Sequence, residues 1–140
     1  MAYYECLNNN DYIINIGDKF NVSLTGSHNT TITATVCYIN KATICLLSSN
    51  SLGEVSWSNA SNYAWNYVIN INNKEYTGTC RIPTHNQLSS KCAGYMRNFS
   101  YWTSTPYDGS NSYYVSGYGF VSTYNITWGY HTLPFIEITL

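Results

Sequence analysis

The stretch TITATV, residues 31 to 36, alternates threonine with apolar side chains. Successive side chains of a β-strand point to opposite faces, so Ile32, Ala34 and Val36 share one face and the threonines share the other. β-Branched residues also fit a pleated surface well. The stretch therefore predicts a strand with one face in the core and one face in water.

The surrounding sequence has the same character. β-Branched and aromatic residues are frequent from Tyr12 to Leu47, and the run is interrupted at Gly17-Asp18 and between Gly26 and Asn29. Interruptions of this kind are typical of turns between strands. We predict strands near residues 12–16, 19–25, 30–39 and 42–47.

The period of the apolar residues changes between Trp57 and Ile69. Apolar residues recur every four positions at Ala60, Ala64 and Val68, and aromatic residues lie near the same stripe at Trp57, Tyr63 and Tyr67. This spacing is typical of a core-facing helix. We predict a helix over residues 57–69.

A second helix is predicted from RIPTHNQL, residues 81–88. Thr84 is placed to cap the helix, and Gln87 is placed to reach back three residues, which is the pattern of a capping box. The helix is expected to run from His85 to about Ala93 and to stop at Gly94, because glycine favours helix ends.

The rest of the chain is divided into short segments by proline and glycine. These segments are residues 101–104, 112–116, 118–124 and 135–140. Strands, then two helices, then strands, without strand-helix alternation, favour an α+β fold over a parallel α/β sheet.

The charge content excludes several classes of protein. Charged residues make up 9% of the chain, against about 25% in typical soluble domains. Six basic and seven acidic residues, with no basic run, give no cationic surface for nucleic acid. No segment has the apolar length of a membrane span. The N-terminus, MAYYECLNNND, has no export signal, which predicts synthesis in a cytoplasm.

The five cysteines also bear on the compartment. Cys6, Cys37, Cys45, Cys80 and Cys92 are odd in number and show no CxxC spacing. A reducing compartment keeps cysteines as thiols. We predict buried free thiols in preference to a disulfide framework.

The sequence contains several landmarks: Gly53 followed by Trp57, the RIPT-x-x-QL stretch, YWTST at residues 101–105 and LPFIEI at residues 133–138. Together they resemble the prokaryotic C-type-lectin-like domain, in the branch found in fimbrial and adhesin domains and in the variable proteins of diversity-generating retroelements. The resemblance implies an α+β C-type-lectin-like fold of small antiparallel sheets with two helices. It implies a domain over residues 31–140, after an attachment segment or strand at residues 1–30.

The same resemblance implies a long irregular binding region at residues 105–131. That region contains PYDGSNSYYVSGYGF, residues 106 to 120, with Asp108 as its one charged side chain. Tyrosine offers a large stiff surface, while serine, glycine and asparagine offer adaptable hydrogen bonds. The predicted ligand-binding residues are Tyr107, Asp108, Asn111, Tyr113, Tyr114, Tyr118, Tyr124, Asn125, Trp128, Tyr130 and His131.

The tryptophans are interpreted separately. Trp57 and Trp102 lie in the stretches that build the scaffold, which favours a place in the core. Trp128 lies inside the proposed binding region, and the sequence leaves core and surface equally open for it.

No pattern in the sequence indicates catalysis or a metal. His28, His85 and His131 have no histidine four residues away and no neighbouring cysteine or carboxylate cluster. The calcium-binding E-P-N or Q-P-D triplet of animal lectins is absent, so calcium is not expected. The seven carboxylates are scattered. We expect a protein that is not an enzyme and that needs no cofactor.

The leading hypothesis is a recognition module on the surface of a phage virion. Its partner would be a bacterial surface glycan or protein, and several copies would add avidity through a homo-oligomer in contact with other virion proteins. The alternatives are a structural virion decoration protein without receptor binding, or a fimbrial tip adhesin on the bacterial surface.

Overall fold

The fold is mostly β. The computed structural model describes residues 13–92, 99–116 and 120–140, and the backbone of residues 3–5. Strands account for 61% of the described residues and helices for 9%. The prediction of an α+β C-type-lectin-like fold is therefore wrong.

The elements follow one another in chain order. The strands are β1 (Tyr3–Glu5), β2 (Ile13–Asn15), β3 (Lys19–Gly26), β4 (Thr30–Asn40), β5 (Thr43–Ser48), β6 (Glu54–Ser56), β7 (Trp65–Ile71), β8 (Lys74–Cys80), β9 (Ser100–Pro106), β10 (Asn111–Ser116), β11 (Val121–Asn125), β12 (Gly129–His131) and β13 (Phe135–Thr139). The helices are α1 (Trp57–Ala60) and α2 (His85–Lys91). The strands predicted for the first third of the chain are confirmed as β2 to β5.

Six strands form a nearly closed, barrel-like sheet. Their order is β13-β5-β4-β3-β7-β8, and each neighbouring pair is antiparallel. The two outer strands approach each other where Arg81 bridges Phe135, and the Phe135 N–H donates to the Arg81 carbonyl at 3.0 Å. Inside, Ile32, Ala34 and Val36 are buried on the face that the alternation predicted.

The helix predicted over residues 57–69 is wrong beyond Ala60. Helix α1 has four residues, and β7 begins at Trp65. In β7 buried residues alternate strictly with exposed ones, and the buried ones are Trp65, Tyr67, Ile69 and Ile71. Aromatic and β-branched residues favour strands. Pairing with β3 and β8 therefore stabilises a strand, in which buried residues repeat every two positions, over the predicted helix, in which apolar residues repeat every four.

Helix α2 confirms the predicted capping box. The Thr84 hydroxyl accepts from the Gln87 N–H at 3.2 Å, and the Gln87 side-chain oxygen accepts from the Thr84 N–H at 2.9 Å. Two of the N–H groups that a helix leaves unpaired at its start are thereby satisfied. The predicted end at Ala93 and Gly94 lies outside the described residues.

The second large sheet shares two hydrophobic core clusters with the barrel-like sheet. Its order is β11-β10-β9-β12-β6. Strand β5 shows the two layers, because Leu46 belongs to the larger core cluster whereas Leu47 packs in a second cluster with Leu88, Tyr101 and Val115. Neighbouring residues of β9 divide in the same way, with Tyr101 in the second cluster and Trp102 in the first.

The prediction of free thiols is wrong for two cysteines. Cys37 of β4 and Cys92 at the end of α2 form a disulfide across a sequence separation of 55 residues. Cys45 and Cys80 are buried and free, as predicted. Burial raises the pKa of Cys45 to about 11, with Glu137 adding to the shift, and burial raises the pKa of Cys80 to about 12. Both therefore stay as thiols at neutral pH.

We expect reduction of this disulfide to destabilise the protein by about 3 kcal/mol, because the bond restricts the unfolded chain. Urea unfolding of the oxidised protein and of a Cys37→Ala/Cys92→Ala double variant measures the difference. A Cys45→Ala variant, with the bond intact, separates the loss of the cross-link from the loss of a buried sulfur. Equal stability of the oxidised protein and the double variant would contradict the assignment.

A second prediction about stability concerns Gly26, the last residue of β3. Its φ is +105°, and a Cβ atom there would lie 2.7 Å from the Ala64 carbonyl oxygen. Strained φ values cost roughly 1–3 kcal/mol. We expect Gly26→Ala to lower the unfolding free energy by about 3 kcal/mol. Gly109→Ala is the control, since a Cβ atom there meets nothing within 4 Å. Similar melting temperatures for the two variants would refute the prediction.

Candidate binding surface

Four aromatic rings form a continuous row that runs from the core to the surface, and a fifth ring lies beside it. Trp102 contacts Tyr130 at 5.0 Å between ring centroids, Tyr130 contacts Tyr124 at 5.3 Å, and Tyr124 contacts Trp128 at 5.5 Å. Tyr114 lies beside the row, 4.7 Å from Tyr130. We call these five residues the aromatic ladder. Trp102 is 0% exposed, Tyr124 is 36% exposed and Trp128 is 58% exposed.

Strand pairing places the middle of the ladder. In the antiparallel pair β10–β11, Tyr114 lies opposite Ser122 and Tyr124 lies opposite Ser112. Tyr114 also lies opposite Trp102 in the pairing of β10 with β9. The rings therefore come from neighbouring positions of one sheet, where cross-strand side chains are in contact.

A tight turn places Trp128 at the exposed end. The Asn125 side-chain oxygen accepts from the Thr127 N–H at 2.9 Å and from the Thr127 hydroxyl at 2.6 Å. The Trp128 N–H donates to the Asn125 carbonyl at 3.1 Å. Asparagine side chains commonly stabilise turns by such local bonds. Asn125, predicted to contact ligand, is thus engaged in holding Trp128.

The ladder is electrically neutral. No Asp, Glu, Lys or Arg occurs between Asp108 and Glu137. Burial raises the pKa of Tyr130, and the neighbouring Tyr114 and Tyr124 raise it further. The phenol at the centre of the ladder therefore keeps its proton at any physiological pH. The groups that this surface offers to a ligand are ring faces, hydroxyls and amides.

Tyr107 and Tyr113 belong to a separate group of rings. Tyr113 stacks on His85 of α2 at 4.5 Å with an interplanar angle of 13°, and Tyr107 meets Tyr113 edge-on at 5.5 Å. Tyr113 lies at an irregularity in the pairing of β10 with β9. The predicted binding residues are therefore divided between the ladder and a group beside α2.

Asp108 and Asn111 shape the turn between β9 and β10. One Asp108 carboxylate oxygen accepts from the N–H groups of Ser110 and Asn111, each at 2.8 Å. The bond from the Ser110 N–H is the main cause that lowers the pKa of Asp108. The carboxylate is solvent-exposed and occupied by its own turn.

His131 lies apart from the ladder. Its Nδ1 is 2.8 Å from the Ser51 hydroxyl and its Nε2 is 3.4 Å from a Glu54 carboxylate oxygen. Serine, histidine and carboxylate in this order also occur in hydrolase triads. Here Glu54 is 61% exposed and is the cross-strand partner of His131 in the pairing of β12 with β6. The contact is accounted for by strand pairing.

The remaining predicted residues are placed as follows. Tyr118 lies outside the described residues. Trp102 is buried, as predicted, and its indole N–H donates to the Val55 carbonyl at 2.8 Å. Trp57 is half-buried against the core, and its indole N–H donates to the Thr103 carbonyl at 2.8 Å.

Two exposed apolar residues at the start of β11 were missed. Phe120 precedes β11 and Val121 is its first residue, and both are solvent-exposed. Both lie within the region predicted to bind but are not among the predicted ligand-binding residues. The sequence feature that could have indicated them is the long stretch without charged residues in which they lie.

Neither a metal site nor a membrane-spanning helix is found in the described part of the chain. Within it, no group of three or more His, Cys, Asp or Glu side chains is arranged to hold a metal ion. No helix of residues 13–92, 99–116 and 120–140 is long and apolar enough to cross a membrane.

Together these features define a small β protein with a neutral aromatic surface at the edge of its second sheet. Comparison of the chain with known protein families and with curated proteins found no match.

Proposed function

We propose that this protein is a non-enzymatic recognition module that binds a glycan through the exposed end of the aromatic ladder. The observation that supports the proposal is the contact of two exposed rings, Tyr124 and Trp128, with each other and with the half-buried Tyr130, which packs on the buried Trp102. A surface ordered before binding loses less conformational entropy when a ligand docks.

The chemistry of the ladder favours sugars. Aromatic rings present an apolar face for the C–H face of a pyranose, while hydroxyls and amides pair with sugar OH groups. The absence of formal charge between Asp108 and Glu137 removes the usual means of recognising phosphate or nucleic acid. A neutral or weakly charged saccharide matches this surface best.

The biological setting stays a prediction. A bacterial surface glycan as partner, display on a phage virion and multivalent binding by a homo-oligomer all follow from the sequence hypothesis. A structural decoration protein is the alternative, and it would need no glycan at all. The genes beside the coding sequence would distinguish a virion protein from a fimbrial adhesin.

The direct test is a glycan array probed with purified, labelled protein, followed by titration of the best ligands. Tryptophan fluorescence reports binding at Trp128, because an exposed indole changes emission when a sugar covers it. We expect binding to a restricted set of bacterial glycans. Failure to bind any glycan or host cell surface would refute the proposal and favour the structural alternative.

A further inference from the structure

A cavity of 190 Å³ lies where one end of the barrel-like sheet meets the second sheet. The lining residues that matter here are Lys19, Thr35, Ser49, Ser51, Phe99 and Tyr101. Tyr101 and Trp102 are adjacent in β9, so their side chains point to opposite faces of the sheet. The cavity is therefore separate from the aromatic ladder.

Hydroxyl groups line one side of the cavity. The hydroxyls of Thr35 and Ser49 are 3.1 Å apart, so one donates to the other. A hydroxyl carries one hydrogen and two lone pairs, and this pair therefore keeps one hydrogen and several lone pairs for a ligand. The Ser51 hydroxyl is oriented by its contact with His131 Nδ1 at 2.8 Å. These groups match a ligand that itself carries several hydroxyls.

Lys19 supplies one positive charge. It starts β3 and its side chain is solvent-exposed. Among residues 13–92, 99–116 and 120–140, no carboxylate forms an ion pair with Lys19. None of the described residues that line the cavity is Asp or Glu. An ammonium group without a protein counter-ion favours an anionic group on the ligand, and a charge-assisted hydrogen bond is among the stronger polar contacts.

Aromatic rings form another wall. Phe99 and Tyr101 line the cavity, and both contact the His131 ring, at 4.4 Å and 6.0 Å between centroids. Phe99 is solvent-exposed although it is large and apolar. A ring with an apolar face would cover it and remove that surface from water.

We propose that this cavity binds a single sugar unit bearing a carboxylate, with the carboxylate at Lys19, hydroxyls at Ser49 and Ser51, and the ring against Phe99. A cavity of 190 Å³ is smaller than the roughly 300–1,000 Å³ of sites for drug-sized ligands, so one small unit fits the size. A free phosphate matches less well, because the site offers one cation and a largely aromatic wall.

The test compares methyl glucuronide with its neutral counterpart, methyl glucoside, by NMR of the isotope-labelled protein. We expect the acidic sugar to shift the amide signals of Ser49, Ser51 and Phe99 with a dissociation constant of about 1 mM, which is the range for a ligand of this size. The neutral sugar should bind about tenfold more weakly, and 0.5 M salt should weaken the acidic sugar, because salt screens exposed charges.

Two variants make the result specific. Lys19→Met keeps the aliphatic stem and removes the charge, and we expect it to bind methyl glucuronide about tenfold more weakly while methyl glucoside is unaffected. Lys74→Met removes an exposed lysine of β8 that does not line the cavity, so it should leave methyl glucuronide binding unchanged. Equal affinity of the two sugars, an unchanged Lys19→Met variant, or shifts confined to Tyr124 and Trp128 would each overturn this site. The first two outcomes leave the ladder proposal untouched, whereas shifts confined to Tyr124 and Trp128 would support the ladder in place of the cavity.

Discussion

Replacing Trp128 by alanine is expected to lower the affinity for the array-selected glycan by 10- to 30-fold, or about 1.5–2 kcal/mol, without loss of fold. A loss of this size is expected because tryptophan is among the residues whose truncation to alanine costs the most binding energy at interfaces. The fold should survive because Trp128 is 58% exposed and therefore contributes little buried area. Isothermal titration calorimetry measures the affinity, and a thermal melt followed by circular dichroism measures the fold.

Tyr107→Ala is the matched control for Trp128→Ala. Tyr107 is also 58% exposed, but it belongs to the ring group beside α2. If the ladder is the binding surface, Tyr107→Ala should change the affinity by less than threefold. A larger loss for Tyr107→Ala than for Trp128→Ala would place the binding surface beside α2 and would contradict the proposed role of the ladder.

The sequence predicted the strands of the first third of the chain, β2 to β5. In β4 threonine alternates with Ile32, Ala34 and Val36 without a second, competing period, and the strand forms as expected. Residues 57–71 carry two periods at once, because Ala60, Ala64 and Val68 repeat every four residues while Trp65, Tyr67, Ile69 and Ile71 repeat every two. Only the pairing of β7 with β3 and β8 decides between them, and pairing between distant segments is not visible in local periodicity.

The same limit applies to the candidate site. Composition identified the tyrosine-rich region, but it did not separate Tyr113 from Tyr114, which contact different ring groups. The separation follows from the alternation of a strand and from the irregular register of β10 against β9. The cavity was invisible for another reason: its lining residues range from Gly17 to Leu133 and meet only when the two sheets pack.

The second large effect is expected at Trp102, the buried foot of the ladder. Trp102 is 0% exposed, and its indole N–H donates to the Val55 carbonyl at 2.8 Å. Truncation of a buried tryptophan to alanine costs about 3–5 kcal/mol through lost burial and the cavity left behind. Loss of the N–H also leaves the Val55 carbonyl without this partner.

We therefore expect Trp102→Ala to lower the unfolding free energy by about 4–5 kcal/mol, measured by urea unfolding at 25 °C. Because folded domains have only about 5–15 kcal/mol in total, a loss of this size approaches the whole stability of a domain, and a milder variant at the same position is needed beside it. Trp102→Phe keeps most of the ring and loses the N–H, so a smaller loss of about 2 kcal/mol is expected from it. Trp128→Ala, the exposed end of the same row, should stay within about 0.5 kcal/mol of the parent protein. Equal losses at Trp102 and Trp128 would show that the row is not anchored in the core, and the rigid support inferred for Tyr124 and Trp128 would be lost with it.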